Sequence, residues 1–225
     1  MDLVSAGRVD VRGIPTPKAA SLVDAATPIL VELDGPRYVS RGGHKLAAAL
    51  DAFAIDPAGL RVLDAGASTG GFTDCLLQRG AAQVVAVDVG HGQLDAGLRS
   101  DARVVVHERA NLRHLAPGDV GGPFPLVVAD LSFISLCTVA PALAEMTQPE
   151  GDLVVLVKPQ FELAPSMVGK GGVVRDDAAR RSALARVESC LGDAGFRRWG
   201  TIESPVTGAK GNREYLLWSK REILL

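Results

Sequence analysis

The sequence predicts an α/β protein built on a doubly wound, mostly parallel sheet, and three observations carry that prediction. Apolar runs recur at Val62–Leu63, Val84–Val87, Val104–Val106, Leu126–Val128, Leu153–Val157, Phe196–Ile202 and Tyr215–Trp218. Helical spacing falls between most of them, over Thr73–Gln78, Leu136–Met146 and Ala178–Leu191. The early runs are continuous Val and Leu rather than alternating, as strands covered on both faces must be. Seven such strands with intervening helices make a doubly wound sheet. The loop between the last two, Pro205 to Arg213, has no helical pattern. They are therefore expected to form a hairpin at one sheet edge, with an antiparallel final strand.

The bulk composition fits. A chain of 225 residues holds one α/β domain and a small appendage. Hydrophobic residues make up 47% and aromatics only 4%, so Val, Leu and Ala must fill the core. A net charge of -2 does not mark a nucleic-acid binder, and any such surface has to be a local basic patch. Cys75, Cys137 and Cys190 are far apart and lack metal-ligand spacing. They read as unpaired, small apolar residues of a reducing compartment. No apolar run reaches the roughly 18 residues of a membrane span. The start lacks the basic flank and apolar stretch of a secretion signal, so the expected location is the cytoplasm.

Residues 1–34 read as a separate small segment. A helix end stops at Gly7, a short strand follows over Arg8–Val11, then a turn at Arg12-Gly13 and a second extended piece, and a last strand is expected over Val31–Leu33. Arg8, Arg12 and Lys18 make the segment mildly basic. The turn Asp34-Gly35-Pro36 opens a linker over 35–42, and the main domain is expected over 43–225. At its start Leu46, Leu50 and Phe53 form one apolar helical stripe, with Arg41, His44 and Lys45 at the helix entry.

The stretch V-L-D-A-G-A-S-T-G-G-F, Val62 to Phe72, runs from strand through acid and small-residue loop into helix. An α/β sheet presents a nucleotide-like cofactor in this way. The dinucleotide pattern G-x-G-x-x-G lacks its second glycine here, because Ser68 stands in that place. Asp64 ahead of the loop would repel a pyrophosphate and suits a cationic, amino-bearing ligand such as S-adenosylmethionine. Asp88, at the end of the second strand, can accept from ribose hydroxyls or cap a turn. Asn111 can meet an adenine edge or be a loop residue. Asp130 in A-D-L-S-F-I-S ends the fourth strand. The turn there has neither the prolines of an amino-methyltransferase nor the Pro-Cys of a cytosine-C5 enzyme, which leaves an oxygen as methyl acceptor. Lys158 in L-V-K-P-Q-F-E ends an apolar strand, where a lysine is a candidate base or a solvated end. Pro159 stops that strand, and no helical pattern resumes at once. Glu214 in G-N-R-E-Y begins the last strand. The glycine-rich loop Met167–Gly172 lacks a Walker pattern and reads as a mobile substrate-side loop.

S-R-G-G-H-K-L, L-D-A-G-A-S-T-G-G-F-T, V-A-D-L-S-F-I-S, V-K-P-Q-F-E and G-N-x-E-Y occur together and in order. In this the chain resembles the TlyA family, S-adenosylmethionine-dependent ribosomal RNA 2′-O-methyltransferases often described as hemolysins. The resemblance implies a Rossmann-like, seven-stranded methyltransferase sheet of FtsJ type and a catalytic tetrad of Lys45, Asp130, Lys158 and Glu214. It implies cofactor contacts from Asp64, Gly66, Ala67, Ser68, Thr69, Gly70, Gly71 and Phe72. Asp88, Val89, Asn111 (at the adenine) and Asp130 complete that set. It also implies an N-terminal S4-type RNA-binding module, of which A-G-R-V-D-V-R-G matches only the second half. Ribosomal RNA or a ribosomal subunit, at cytidines, is the implied partner. RNA is expected on Arg8, Arg12, Lys18, Arg41 and His44, extended by Lys170, Arg175, Lys210 and Arg213. No metal is required. Competing readings are an NAD-dependent oxidoreductase, which shares the sheet and Asp88, a non-catalytic RNA-binding protein, and a pore-forming hemolysin.

Overall fold

The computed structural model describes Val4, residues 9–11, Ile14, 17–18, 20–25, 27–31 and 37–223. Two short strands, β1 (Val9–Val11) and β2 (Ile29–Val31), pair antiparallel near the start. The last expected strand of this segment, read over Val31–Leu33, lies two residues earlier. The expected helix end before Gly7, with Arg8 and Arg12, lies outside the described residues.

The main body contains α1 (Gly42–Phe53), β3 (Arg61–Ala65), α2 (Gly71–Gln78), β4 (Gln83–Val87), α3 (Ala96–Ser100) and β5 (Val104–His107). It continues with β6 (Phe124–Ala129), α4 (Leu136–Met146), β7 (Thr147–Val157), α5 (Pro159–Glu162), α6 (Asp177–Asp193), β8 (Phe196–Glu203) and β9 (Tyr215–Arg221). The seven-stranded sheet has the order β5-β4-β3-β6-β7-β9-β8. The strands from β5 to β7 are parallel, and β9 is antiparallel to both β7 and β8. The expected edge hairpin is present, with β9 inside the sheet and β8 at its margin.

Successive residues of the central strands serve opposite faces. Val62, Val84, Leu126, Val154 and Leu216 join the core formed with Leu46, Leu50 and Leu76 of α1 and α2. Leu63, Val85, Val127, Val155 and Leu217 join the other core, with Leu143 of α4 and Val187 and Leu191 of α6. This double burial is the physical reason for unbroken Val/Leu runs. Each such side chain contributes about 1.5–3 kcal/mol on leaving water.

Two expectations are corrected. Cys137 and Cys190 form a disulfide, with Cα atoms 5.2 Å apart across 53 residues of sequence. The stacking of α4 on α6 brings them together, which linear spacing does not reveal; Cys75 is free and buried. Pro159 also does not lead into an irregular segment. It occupies the first position of the one-turn helix α5, where its missing N–H costs nothing.

Candidate active site

Element ends converge on one edge of the sheet. Asp64 lies in β3, Asp88 follows β4, Asp130 follows β6, Lys158 follows β7 and Glu214 precedes β9. Because β9 runs against β7, with Tyr215 opposite Val157, its beginning reaches the edge where the parallel strands end. The chain order reverses between β3 and β6, the crevice where open α/β sheets hold ligands. Lys45 comes from the first turn of α1. The close approach of the starts of α1 and α2 sets its place: a Cβ on Gly71 would stand 2.2 Å from Ser40 Oγ and 2.9 Å from the Gly43 nitrogen.

The four ionic residues form two pairs. Lys45 Nζ donates to Glu214 Oε2 at 2.6 Å, and both side chains are buried. Lys158 Nζ stands 2.6 Å from Asp130 Oδ1, an ion pair without hydrogen-bond alignment, and donates to Ser132 Oγ at 2.7 Å. Charges this far from water require such partners. All four line one cavity of about 600 Å³, together with Arg41, Gly66, Phe72, Phe133, Gln160, Phe161 and Lys210. A second cavity of about 440 Å³ holds Asp88, Val89, Gly90, Asn111 and Leu112. Gly66, Ser68, Asp130, Ser132 and Phe133 line both cavities and form the wall between them.

The glycine loop spends its amides on the neighbouring strand. Gly66 and Ala67 donate to Val87 O at 2.8 and 3.2 Å, and Ser68 N donates to Asp88 Oδ2 at 2.8 Å. Asp88 Oδ1 also accepts from Gly90 N at 2.6 Å. These amides do not face a diphosphate, as a dinucleotide cradle would demand. Asp64 is completely buried, and Oδ2 accepts from the Thr73 hydroxyl at 2.6 Å while Oδ1 has no hydrogen-bond partner among the described residues. Desolvation pushes its pKa up to about 7; the Thr73 hydrogen bond opposes this, and the nearby Asp130 and Asp88 charges add to it. Asn111 caps a short 3₁₀ turn by accepting from Arg113 N at 3.1 Å while still lining the smaller cavity.

Several contributors carried no individual signal in the sequence. Ser132 holds Lys158, as above. Glu162 is buried and accepts from Ser135 Oγ at 2.6 Å and Leu136 N at 2.8 Å, tying the turn after Lys158 to the start of α4. Asn212 accepts from Val174 N at 2.9 Å and donates to Gly172 O at 2.8 Å. Both bonds tie the glycine-rich loop to the segment that carries Glu214, and Lys170–Gly172 of that loop forms a short 3₁₀ turn. Ser132, Glu162 and Asn212 all lie inside the sequence motifs, but spacing does not say which partner each one meets.

The expected RNA contacts divide. Lys18, Arg41, Lys170, Arg175 and Lys210 are exposed, and Arg41 and Lys210 line the larger cavity. His44 is half-buried and set edge-on to the Tyr38 ring at 5.1 Å, instead of standing on an open rim. Arg213 pairs with Glu203 at 3.4 Å and Asp177 at 3.8 Å. Among the described residues no group of three or more His, Cys, Asp or Glu side chains is placed to hold a metal ion.

The sheet order, with a glycine loop at its switch point, is that of the methyltransferase-like fold. A family model described as FtsJ-like methyltransferase matches residues 38–221. A Mycobacterium tuberculosis protein named 16S/23S rRNA (cytidine-2′-O)-methyltransferase TlyA is 52% identical over 222 residues, covering 98% of this chain and 83% of that protein. Hemolysin A of Brachyspira hyodysenteriae is 42% identical, covering 96% of this chain and 90% of its own. A solved structure from Streptococcus thermophilus, described provisionally as a hemolysin, superposes with a TM-score of 0.82 at 40% identity, covering 97% of this chain and 80% of that one. The chain belongs to the TlyA family of FtsJ-like methyltransferases.

Proposed function

We propose that this chain methylates ribose 2′-hydroxyls of ribosomal RNA, at cytidines of the small and large subunits, using S-adenosylmethionine. The observation that carries the reading is the pair of ion pairs, Lys45–Glu214 and Lys158–Asp130, lining one cavity beside the nucleoside-sized one. The name of the 52% identical relative, which specifies cytidine 2′-O methylation of 16S and 23S rRNA, supports the acceptor.

The residues suit the cofactor. The edge is rich in carboxylates, and the Gly66, Ala67 and Ser68 amides already have partners, so it favours a cation over a pyrophosphate. Asp88 and Asn111 would hold ribose and adenine, Val89 would cover the ring, and Gly66 to Phe72 would follow the methionine part. When bound, S-adenosylmethionine supplies an electrophilic methyl group on its sulfonium.

Lys158, neutral at the moment of reaction, is the general base. Its Nζ takes the 2′-hydroxyl proton while Asp130 orients it. Lys45, held by Glu214, fixes the hydroxyl in line. Such positioning is worth on the order of 7 kcal/mol or more, and base catalysis about 10²–10⁴-fold. The exposed Phe133, beside Phe161 at 5.2 Å, offers a nucleobase an aromatic face. Arg41, Lys210 and Lys18 would meet phosphates. Residues 1–34 act as the S4-like RNA-binding segment, joined through 35–42 to a catalytic domain over 43–225, and the enzyme works on ribosomes in the cytoplasm. Among the described residues no helix is long and apolar enough to cross a membrane.

The test is Lys158→Ala, assayed by labelled-methyl transfer to ribosomal RNA and by cofactor titration. The expected result is a rate lower by at least about 100-fold with cofactor affinity within threefold of wild type. Methylation at the wild-type rate would remove Lys158 from the mechanism. Retention of NAD instead of S-adenosylmethionine would overturn the whole reading.

A further inference from the structure

The geometry points to Ser132 as a positioning residue that aims Lys158 at the acceptor hydroxyl and passes its proton on to solvent. This rests on the reading of Lys158 as the base.

Lys158 is the last residue before α5, and its flexible stem leaves the ammonium free to swing unless something fixes it. Asp130 supplies charge at 2.6 Å, but the contact is not aligned as a hydrogen bond. The ammonium donates its hydrogen bond to Ser132 Oγ at 2.7 Å. Lying out of line, this carboxylate oxygen gives attraction with little direction, whereas the Ser132 hydroxyl adds a directed bond. Together they define where Nζ points. The loop that carries Ser132 is itself held: its next residue, Phe133, sits at φ 62°, a strained setting for a bulky side chain. Downstream, Ser135 and Leu136 are anchored on Glu162, which belongs to the same turn as Lys158. The serine and the lysine thus sit on segments fastened to one another.

The proton has to leave. As the ribose oxygen–carbon bond forms and the carbon–sulfur bond breaks, the hydroxyl proton passes to Lys158 Nζ. The thioether departs neutral, so one proton per turnover must reach water. The Lys158 side chain is only 11% exposed, while Ser132 is exposed and lines both cavities. A hydroxyl both accepts and donates, so it can take the proton from Nζ while releasing its own to solvent.

The experiment compares Ser132→Ala and Ser132→Thr with wild type in methyl transfer to ribosomal RNA across pH. For Ser132→Ala the expected result is a kcat about tenfold lower, an RNA KM within twofold, and an acid limb of the rate profile moved to lower pH, because the ammonium has lost an acceptor. Ser132→Thr keeps the hydroxyl and should recover most of kcat and the wild-type limb. An unchanged kcat and profile in Ser132→Ala would overturn the assignment. So would a fall in kcat matched by weaker cofactor binding and a lower melting temperature, or a threonine variant as slow as alanine. If Lys158→Ala itself methylates normally, the base assignment fails instead, and the two failures are told apart.

Discussion

Asp64 shows how a single residue can hold information about ligand and pH together. It is buried with one oxygen unpaired, and its pKa is raised to about 7. The unfolded chain loses this proton near pH 3.9. Between about pH 4 and 7 the folded chain therefore binds more protons at this site than the unfolded one. Stability from this group falls as pH rises through that window and levels off above it. Urea unfolding at pH 5 and pH 7.5 should show wild type losing more stability than Asp64→Asn over this interval, by a difference on the order of a few kcal/mol. Equal slopes would mean that Asp64 is ionised throughout. The sequence placed Asp64 at a strand end and read it as a cation-favouring acid. Its unpaired oxygen and its bond to Thr73 depend on burial, which spacing does not report.

At the scale of elements, the fold was largely legible. The seven apolar runs became β3 to β9, and the three helical stretches became α2, α4 and α6. Sequence was silent where a contact joins distant elements. Gly208 is an example: a Cβ there would stand 2.4 Å from Glu214 Oε1. Only a glycine lets this loop approach the carboxylate that holds Lys45. Gly208→Ala should push Glu214 off Lys45, lowering methyl transfer by tenfold or more with cofactor affinity unchanged, as read by kcat and calorimetric titration. A normal kcat would show that the Lys45–Glu214 pair tolerates displacement. The motif G-N-R-E-Y marked Asn212 and Glu214 as neighbours in sequence. It did not show that Asn212 clamps the 169–173 loop, because that bond crosses about 40 residues of chain.

The whole molecule is a sheet between two helical layers, and the disulfide belongs to this scale. Cys137 and Cys190 link α4 to α6, enclosing a separation of 53 residues that includes Lys158 and the loop behind it. Closing a loop of that length restricts the unfolded chain by up to about 4 kcal/mol. Reductant should therefore lower the melting temperature of wild type, while Cys137→Ser, which cannot form the bond, should melt at the same temperature with or without it. Methyl transfer should survive in both, since neither sulfur lines the reaction cavities. A melting temperature unaffected by reductant in wild type would mean that the thiols are unpaired in solution.

The sequence by itself determined the class of fold and marked four ionic residues at element ends, which the structure brings to one cavity. Hydrophobic runs record burial, and strand ends record where a side chain must leave the core, so both are written locally. Only the tertiary structure decided who pairs with whom: Lys45 with Glu214, Lys158 with Asp130 and Ser132, Cys137 with Cys190. Those choices depend on distances of a few ångströms between segments up to 169 residues apart. Strand order and helix stacking set such distances, and linear spacing carries no record of them.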